Sequence, residues 1–151
     1  MTGRTNPYTA APDLLKAWLD FSTRVAQSGL EASLLELVKL RASQINACAN
    51  CLNMHSYEAR QAGETEQRIA LLPAWEEAPC YTPRERAALA WVDHITLIAD
   101  KRAPQPVYDA LAAQFSKEEQ VQLTLAIAVI NGWNRLAIGF ELFAPELGWK
   151  A

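Results

Sequence analysis

The residues best suited to chemistry lie in the stretch CANCLNMH, residues 48 to 55. Cys48 and Cys51 have two residues between them, and His55 follows the second cysteine by four positions. In a helix that begins near Cys48, each residue turns by about 100°, so the three side chains share one face. The thiols then lie at the amino end of the helix, where unpaired backbone N–H groups favour an anion.

This position favours an ionised sulfur. A Cys-x-x-Cys pair at a helix N-terminus and close to a histidine can have a thiol pKa lowered to between about 3.5 and 7.5. His55, one turn from Cys51, is placed to accept its proton or to stabilise its thiolate. Cys48 is then placed to attack the oxidised sulfur of Cys51, which closes a disulfide and releases water. The spacing therefore predicts a redox-active dithiol with a nearby base.

Two other interpretations stay open on the residues alone. Cysteines are often buried only to pack a core, and a single histidine on a helix is usually packed or solvated. A zinc site needs a fourth ligand, for which the chain offers isolated candidates such as Cys80, His94 or a carboxylate. Cys80 lies in a loop without a basic neighbour in sequence, and His94 lies on a helix with an apolar stripe. We expect neither of them in the site, and we expect no metal and no cofactor.

The whole chain has the size of one domain, which we assign to residues 1–151. A formal net charge of −3 gives no bias toward polyanions, so we expect neither nucleic acid nor a membrane as partner. The N-terminus lacks the apolar run of a secretory signal, and the longest apolar run, Leu125 to Ile130, is far shorter than the roughly 20 residues of a spanning helix. We therefore expect a cytoplasmic protein, in which three cysteines favour catalytic, redox or metal use over structural disulfides.

The elements that position the cysteines are predicted to be helices. Apolar spacing and punctuation residues predict one helix from Pro12 toward Gly29, a second within residues 31–46, a third from Cys48 to Gly63, and a fourth over much of residues 64–72. No long stretch alternates with the period of a half-buried strand. We predict an all-α fold, a compact bundle of six to eight helices.

Two capping boxes mark later helices. Thr82 with Glu85 predicts a helix that continues through residue 100, and Ser116 with Glu119 predicts an apolar helix through Ile130. A short helix is predicted between them, and Asn131 and Gly132 are predicted to end or kink the last helix. Residues 120–130 are apolar on nearly every side, which predicts burial all round and hence a homo-oligomer.

The stretch ELVKLRASQINACANCLNMH, residues 36 to 55, resembles the signature of the alkyl hydroperoxidase D and carboxymuconolactone decarboxylase superfamily. Glu36, Cys48, Cys51 and His55 match that pattern position by position. The stretches TPRERAALAWVDHIT and AIAVINGWNRLAIGF resemble two later segments of the same superfamily, so the resemblance covers roughly residues 30 to 140. It implies an all-helical fold, homo-oligomers built from dimers or trimers, and thiol peroxidase activity in the branch that carries the cysteine pair.

The resemblance also implies roles for the four residues. Cys51 attacks the hydroperoxide, Cys48 resolves the resulting sulfenic acid, and His55 with Glu36 forms a proton relay. Spacing alone would favour Glu36 as the partner of Ser33 in a capping box, whereas the resemblance places the helix start near Glu31 and points Glu36 inward. The chain departs from some members at residue 50, where asparagine replaces a second histidine, so a relay with two imidazoles is excluded.

The leading hypothesis is a cofactor-free thiol peroxidase that reduces small hydroperoxides and is recycled by an external dithiol of lipoyl or thioredoxin type. One alternative is a carboxymuconolactone decarboxylase-like lyase, which would use Glu36 and His55 and would not need the dithiol. Another is a redox-sensing protein without catalytic turnover. Near the C-terminus, we expect Trp133 to pack and Arg135 to form a buried or interfacial hydrogen-bonded pair.

Overall fold

The structure, a computed structural model, describes residues 3–142, and within that range the chain forms nine α-helices and no strand. Seven of the helices have six or more residues and two are single turns, so the predicted all-α class is confirmed. The helices are α1 (Pro7–Ala10), α2 (Pro12–Ala26), α3 (Ala32–Ile45), α4 (Ala49–Gln61), α5 (Glu66–Leu71), α6 (Pro83–Thr96), α7 (Ile98–Lys101), α8 (Gln105–Gln114) and α9 (Lys117–Phe140). A short 3-10 turn, Leu72–Ala74, follows α5.

Capping residues set the starts of the long helices. Both predicted capping boxes are present: Thr82 with Glu85 opens α6, and Ser116 with Glu119 opens α9. In each, the hydroxyl accepts from the glutamate N–H and the glutamate carboxylate accepts from the cap N–H, so two otherwise unpaired donors are satisfied. The predicted starts of both helices are confirmed.

A tight turn joins α3 to α4 and presents the cysteine pair. Asn46 ends α3, Ala47 takes a left-handed conformation with φ of 52°, and Cys48 is the N-cap of α4. Because the connection is so short, α4 packs along α3 and faces α9 on another side. The cysteine pair therefore lies between α4 and α9.

The last helix continues where a break was predicted. Asn131 and Gly132 lie within α9, so the prediction that they end or kink it is wrong. The Asn131 amide donates to the carbonyl of Ile127 at 2.9 Å, one turn back, which keeps this side chain compatible with a helix. Gly132 serves the packing, because a Cβ built there would lie 2.5 Å from the Trp18 ring of α2.

Gly132→Ala should therefore destabilise the protein by about 1–3 kcal/mol, the usual cost of overpacking a site that must shift to accept the added group. Gly139→Ala is the matched control, since a Cβ there meets nothing within 4 Å and the residue lies on the same helix. It should be neutral or stabilising by about 0.5 kcal/mol. Urea unfolding midpoints of the two variants measure the difference, and equal midpoints would contradict the close approach of α2 to α9.

Burial differs from the sequence prediction on α9. The helix packs on α2, α3, α4, α6 and α8, yet Val121 and Leu125 are exposed, so the prediction of burial all round for residues 120–130 is wrong for the isolated chain. Among residues 3–142, α9 is the one helix long and apolar enough to cross a membrane by length and composition. One face of it packs against these five helices.

The boundary of α6 also differs. The helix was predicted to run through residue 100, but it ends at Thr96 because Leu97 leaves the helical region, with φ of −99° and ψ of 36°. The chain resumes helix in α7, and α8 follows after Pro104.

Candidate active site

The two thiols lie at the N-terminus of α4 and are buried, with 0% of Cys48 and 2% of Cys51 exposed. As the N-cap, Cys48 accepts a hydrogen bond on Sγ from the backbone N–H of Cys51 at 3.4 Å. Of the two sulfurs, only that of Cys51 belongs to a residue that lines a cavity. The N-cap geometry thus favours charge on Cys48, and cavity access favours reaction at Cys51.

The two thiols share a hydrogen bond that sets their protonation. The bond from Cys51 lowers the pKa of Cys48 from 9.0 to about 6, helped by the Cys51 N–H, the Asn134 amide and the charge of His55. The same bond, burial and the Cys48 charge raise the pKa of Cys51. The N-cap position of Cys48 and the opposite directions of the two pKa shifts favour a singly ionised pair with the charge toward Cys48. The sequence predicted an ionised dithiol and assigned the thiolate to Cys51.

A buried amide from α9 contacts the pair. Asn134 is fully buried, and the proximity of its amide lowers the pKa of both Cys48 and Cys51. Ala137, one turn further along α9, packs against the same two cysteines. The sulfurs are therefore enclosed between α4 and α9.

His55 lies between two carboxylates. Its Nδ1 donates to Oε2 of Glu58 at 2.8 Å and lies 3.3 Å from Oε2 of Glu36. Burial alone would lower the pKa of His55, but the bonds to Glu36 and Glu58 outweigh it and raise that pKa above the ordinary 6.5. The hydrogen bond from His55 lowers the pKa of Glu58. His55 is therefore an imidazolium at or below pH 6.5, with Nε2 as the ring nitrogen left for chemistry.

Lys39 completes this cluster. Its ammonium pairs with Glu36 and lies 3.9 Å from Oε2 of Glu58. Ligand atoms of Glu36, His55 and Glu58 come within 4.8 Å of one another, which is close enough to surround a cation. Two carboxylates facing one ammonium and one imidazolium are already neutralised, so the arrangement fits an ion-pair cluster better than a metal centre.

Glu36 faces the site as the resemblance implied. α3 begins at Ala32 with Glu31 as N-cap, so Ser33 lies inside the helix and cannot form a capping box with Glu36. The carboxylate instead points toward α4, where it meets His55, and its side chain is 13% exposed. The four residues predicted from the sequence are thus brought to one region, although no hydrogen bond joins His55 directly to Cys51 within residues 3–142.

A cavity of about 760 Å³ opens beside Cys51 and His55. Lys39, Asn50 and Glu58 add polar groups at its wall. The rest of the lining is mainly apolar and comes from α2, α3 and α9, including Leu19, Leu35, Ala126, Val129, Ile130 and Trp133. The cavity can hold an organic molecule with its reactive atom near Cys51.

The residues that we expected to lie outside the site do so. Cys80 is partly buried and packs against a core cluster that includes Leu72, Trp75 and Tyr81. His94 forms a hydrogen bond with the carbonyl of Arg102 at 3.1 Å. Trp133 packs on Trp18 and donates to Ser22, which confirms a packing role, although its ring also lines the cavity. Arg135 donates to the backbone and side chain of Asn131, so a hydrogen bond is present. Arg135 is exposed in the isolated chain, so the predicted burial is absent there and an interfacial role stays a prediction.

Sequence reasoning missed three neighbours of the site. Glu58 follows His55 by three positions and Lys39 follows Glu36 by three, so helical spacing could have identified both. Asn134 lies within the stretch AIAVINGWNRLAIGF, which carries part of the family resemblance, but no pattern in the sequence indicated its role. Its contact with the sulfurs depends on how α9 packs against α4, for which no local signal exists.

The ion-pair cluster predicts a pH-dependent stability. Because the folded pKa of His55 is raised, its contribution is fully present below 6.5 and is lost as the pH rises through the folded value. The lowered pKa of Glu58 contributes stability above 4.5 that is lost as the pH falls. In a Cys48→Ser background, which removes the opposite contribution of the lowered Cys48 pKa, the free energy of unfolding in urea should therefore fall as the pH rises above 6.5. Glu58→Gln should weaken that fall, and an unchanged slope would show that His55 does not depend on this carboxylate.

Comparison with known proteins agrees with this geometry. Residues 12–94 match the carboxymuconolactone decarboxylase family. The uncharacterised protein YdfG of Bacillus subtilis (strain 168) is 44% identical over 138 residues, which cover 91% of this chain and 94% of YdfG.

Solved structures share the fold. A protein of unknown function from Agrobacterium tumefaciens, ATU0492, for which a role as the antioxidant defence protein AhpD has been suggested, is 46% identical with a TM-score of 0.90, covering 95% of this chain and 99% of that one. A variant of the debrominase Bmp8 in complex with 2,3,4-tribromopyrrole is 18% identical with a TM-score of 0.76, covering 88% and 71%, and shows the fold alone. The chain therefore belongs to the carboxymuconolactone decarboxylase family, with the AhpD-like fold.

Proposed function

We propose that this protein is a thiol peroxidase that reduces apolar organic hydroperoxides through a disulfide between Cys48 and Cys51. The observation that carries the proposal is that Cys51 and His55 line the same largely apolar cavity, with Cys48 as the thiol partner of Cys51. The lowered pKa of Cys48 and the raised pKa of His55 support it. The proposal needs a nucleophile, an acid and an organic binding space, and each has a counterpart in this region.

The first step oxidises Cys51. Its sulfur attacks the terminal oxygen of the hydroperoxide while its proton passes to the Cys48 thiolate along their shared hydrogen bond. The O–O bond breaks, and the departing alkoxide takes a proton from His55 to leave as an alcohol. Cys51 becomes a sulfenic acid, and the hydroperoxide receives two electrons.

The second step closes the disulfide. Cys48 returns its proton to the now neutral His55 and attacks the Cys51 sulfenic sulfur, and the departing hydroxide takes that proton to leave as water. In sum, two thiols and one hydroperoxide give one disulfide, one alcohol and one water. An external dithiol, of lipoyl or thioredoxin type, then reduces the disulfide.

His55 acts first as an acid in this scheme, whereas the sequence predicted a base. Its raised pKa means that it holds a proton when the hydroperoxide binds. The lowered pKa of Cys48 means that no base is needed to generate the first thiolate. Glu36 and Glu58 keep the imidazole charged and oriented, and Lys39 balances their charge.

The apolar lining should give a preference for organic hydroperoxides over hydrogen peroxide. Leu19 of α2 lines the cavity, whereas Leu14 of the same helix does not and is 74% exposed. Loss of an apolar contact of this size costs about 1 kcal/mol, so Leu19→Ser should raise KM for cumene hydroperoxide about fivefold, and Leu14→Ser should not. Steady-state oxidation of a dithiol measures both. Equal kcat/KM for hydrogen peroxide and cumene hydroperoxide in the unmodified protein would count against an organic substrate.

Two further expectations extend the proposal. Exposed apolar side chains on α2 and α9, including Phe21, Val121 and Leu125, would be covered if the chain forms the homo-oligomer that we expect. A reductant of thioredoxin or lipoyl type would be available in the cytoplasm, where we place the protein.

A further inference from the structure

A chain of three asparagine side chains links the interior of α9 to the cysteine pair. The Asn46 amide donates to Oδ1 of Asn131 at 3.0 Å and to Oδ1 of Asn134 at 2.8 Å. Asn131 and Asn134 are both buried, and Asn46 comes from the turn that ends in Cys48. Amides that bond one another between the α3–α4 turn and α9 constrain which end of each amide faces which neighbour.

The direction of this chain is fixed at its far end. Arg135 can only donate, and it donates to Oδ1 of Asn131 at 3.1 Å. The backbone carbonyl of Ile127 can only accept, and it accepts from Nδ2 of Asn131 at 2.9 Å. Asn131 therefore presents its oxygen to Asn46 and has one allowed orientation.

The same logic passes along the chain. Because Asn131 presents an oxygen, Asn46 must present its Nδ2, which also reaches Asn134. Asn134 must then present its own oxygen to Asn46, which leaves its Nδ2 on the opposite side. That Nδ2 donates to Oγ of Ser43 at 3.1 Å. On this side of the amide lie the two cysteines, whose pKa values Asn134 lowers.

We propose that this one-way chain of amides holds the Asn134 N–H against the Cys48–Cys51 pair, so that Asn134 is a thiolate-stabilising residue and Asn46 and Asn131 are its positioning residues. A flipped Asn134 would turn an oxygen toward the sulfurs and oppose their negative charge. The proposal rests on the dithiol chemistry proposed above only in that the sulfurs must ionise to react.

The test measures the thiol directly and needs no hydroperoxide. In a Cys80→Ser background, the pH dependence of iodoacetamide alkylation reports the ionisation midpoint of the pair. Asn134→Leu removes the donor at nearly constant volume and should raise the midpoint by about one to two units, the shift that corresponds to one hydrogen bond to a charged group. A midpoint equal to that of the parent would overturn the proposal.

Asn46→Leu tests the positioning role separately, because Asn46 forms no bond to sulfur. Asn46→Leu should also raise the ionisation midpoint, by a smaller amount than Asn134→Leu. If Asn134→Leu does not fold, the result for Asn46→Leu tests the proposal in its place. Thr96→Val is the matched control, since it removes a buried hydrogen bond to Asn131 Nδ2 while the Ile127 carbonyl still fixes that amide. It should leave the midpoint unchanged; a shift as large as that of Asn46→Leu would overturn the positioning role.

The reduction potential gives a second readout. A thiolate that loses its donor is less stable relative to the disulfide, so the potential of Asn134→Leu should become more negative, by about 30 mV for each tenfold change in the equilibrium. A merely structural role for Asn134 would lower the unfolding midpoint without moving this potential. If the variants shift the alkylation midpoint and the reduction potential as expected but the unmodified protein shows no peroxidase turnover, the proposed function is refuted and the role of Asn134 stands.

Discussion

Cys51→Ser should lower kcat/KM for organic hydroperoxides by a factor on the order of 10³ or more, the scale on which removal of an essential nucleophile acts. Among residues 3–142, Cys51 is the cysteine that lines the cavity, so no other thiol described there can meet a bound hydroperoxide in the same geometry. Serine keeps the size of the side chain but has no accessible anion at neutral pH. The initial rate of hydroperoxide loss with excess dithiol measures the change.

Cys48→Ser separates the two cysteines. It should retain one slow turnover and stop at the Cys51 sulfenic acid, which a dimedone adduct would reveal by intact mass. Cys80→Ser is the matched control, because Cys80 packs against a core cluster around Leu72, Trp75 and Tyr81 and lies outside the site. This variant should react like the unmodified protein. If both Cys48→Ser and Cys51→Ser kept full catalytic activity, the reaction would not depend on the dithiol, as in the decarboxylase-like alternative.

His55→Asn should lower kcat/KM by about 10²–10⁴, the usual contribution of a positioned general acid. The carboxylates of Glu36 and Glu58 keep this imidazole protonated, and no second histidine is available at residue 50 to replace it. His94→Asn uses the other histidine of the chain as a control. It should have no effect, because His94 bonds the carbonyl of Arg102 outside the site.

The pH profile identifies the role of His55. In the unmodified protein, kcat/KM should rise as Cys48 ionises at a pKa of about 6 and fall as the pH passes the raised pKa of His55. His55→Asn should lose the alkaline fall and keep the acidic rise. If the substitution removed the acidic rise instead, His55 would be acting as the base that the sequence predicted.

Local signals predicted most of the helices. The capping boxes at Thr82 and Ser116 specify backbone partners three residues away, so the sequence alone contains what decides those helix starts. The continuity of α9 could not be predicted in this way. Glycine is unfavourable within a helix, so Gly132 suggested a helix end. The close approach of Trp18 of α2 explains why a residue without a side chain is needed at this position.

The sequence predicted the site residues that lie close together in the chain better than those that come from distant helices. Cys48, Cys51 and His55 share one turn-and-helix segment, so their spacing predicted their common face. Glu36 was assigned through the family resemblance, because spacing alone favoured a capping role that the start of α3 excludes. Asn134 comes from a distant helix, and its role depends on a hydrogen-bond chain that exists only after packing.

The distribution of charge between the thiols is also a tertiary property. Helix position predicted one ionised sulfur, but the sulfur that holds the charge depends on the N-cap bond to Cys48 and on the hydrogen bond between the two thiols. Likewise, the protonation of His55 follows from Glu58, which helical spacing places beside it, and from Glu36, which reaches it only through the packing of α3 against α4.

The most direct test of the central claim is a thiol count with intact mass before and after one equivalent of cumene hydroperoxide. The reduced chain has three thiols, Cys48, Cys51 and Cys80. The proposed chemistry predicts that the first two are lost together, with a mass decrease of about 2 Da for one disulfide and an unreacted Cys80. Three remaining thiols after the hydroperoxide has been consumed, or a stable gain of oxygen without a disulfide, would contradict it.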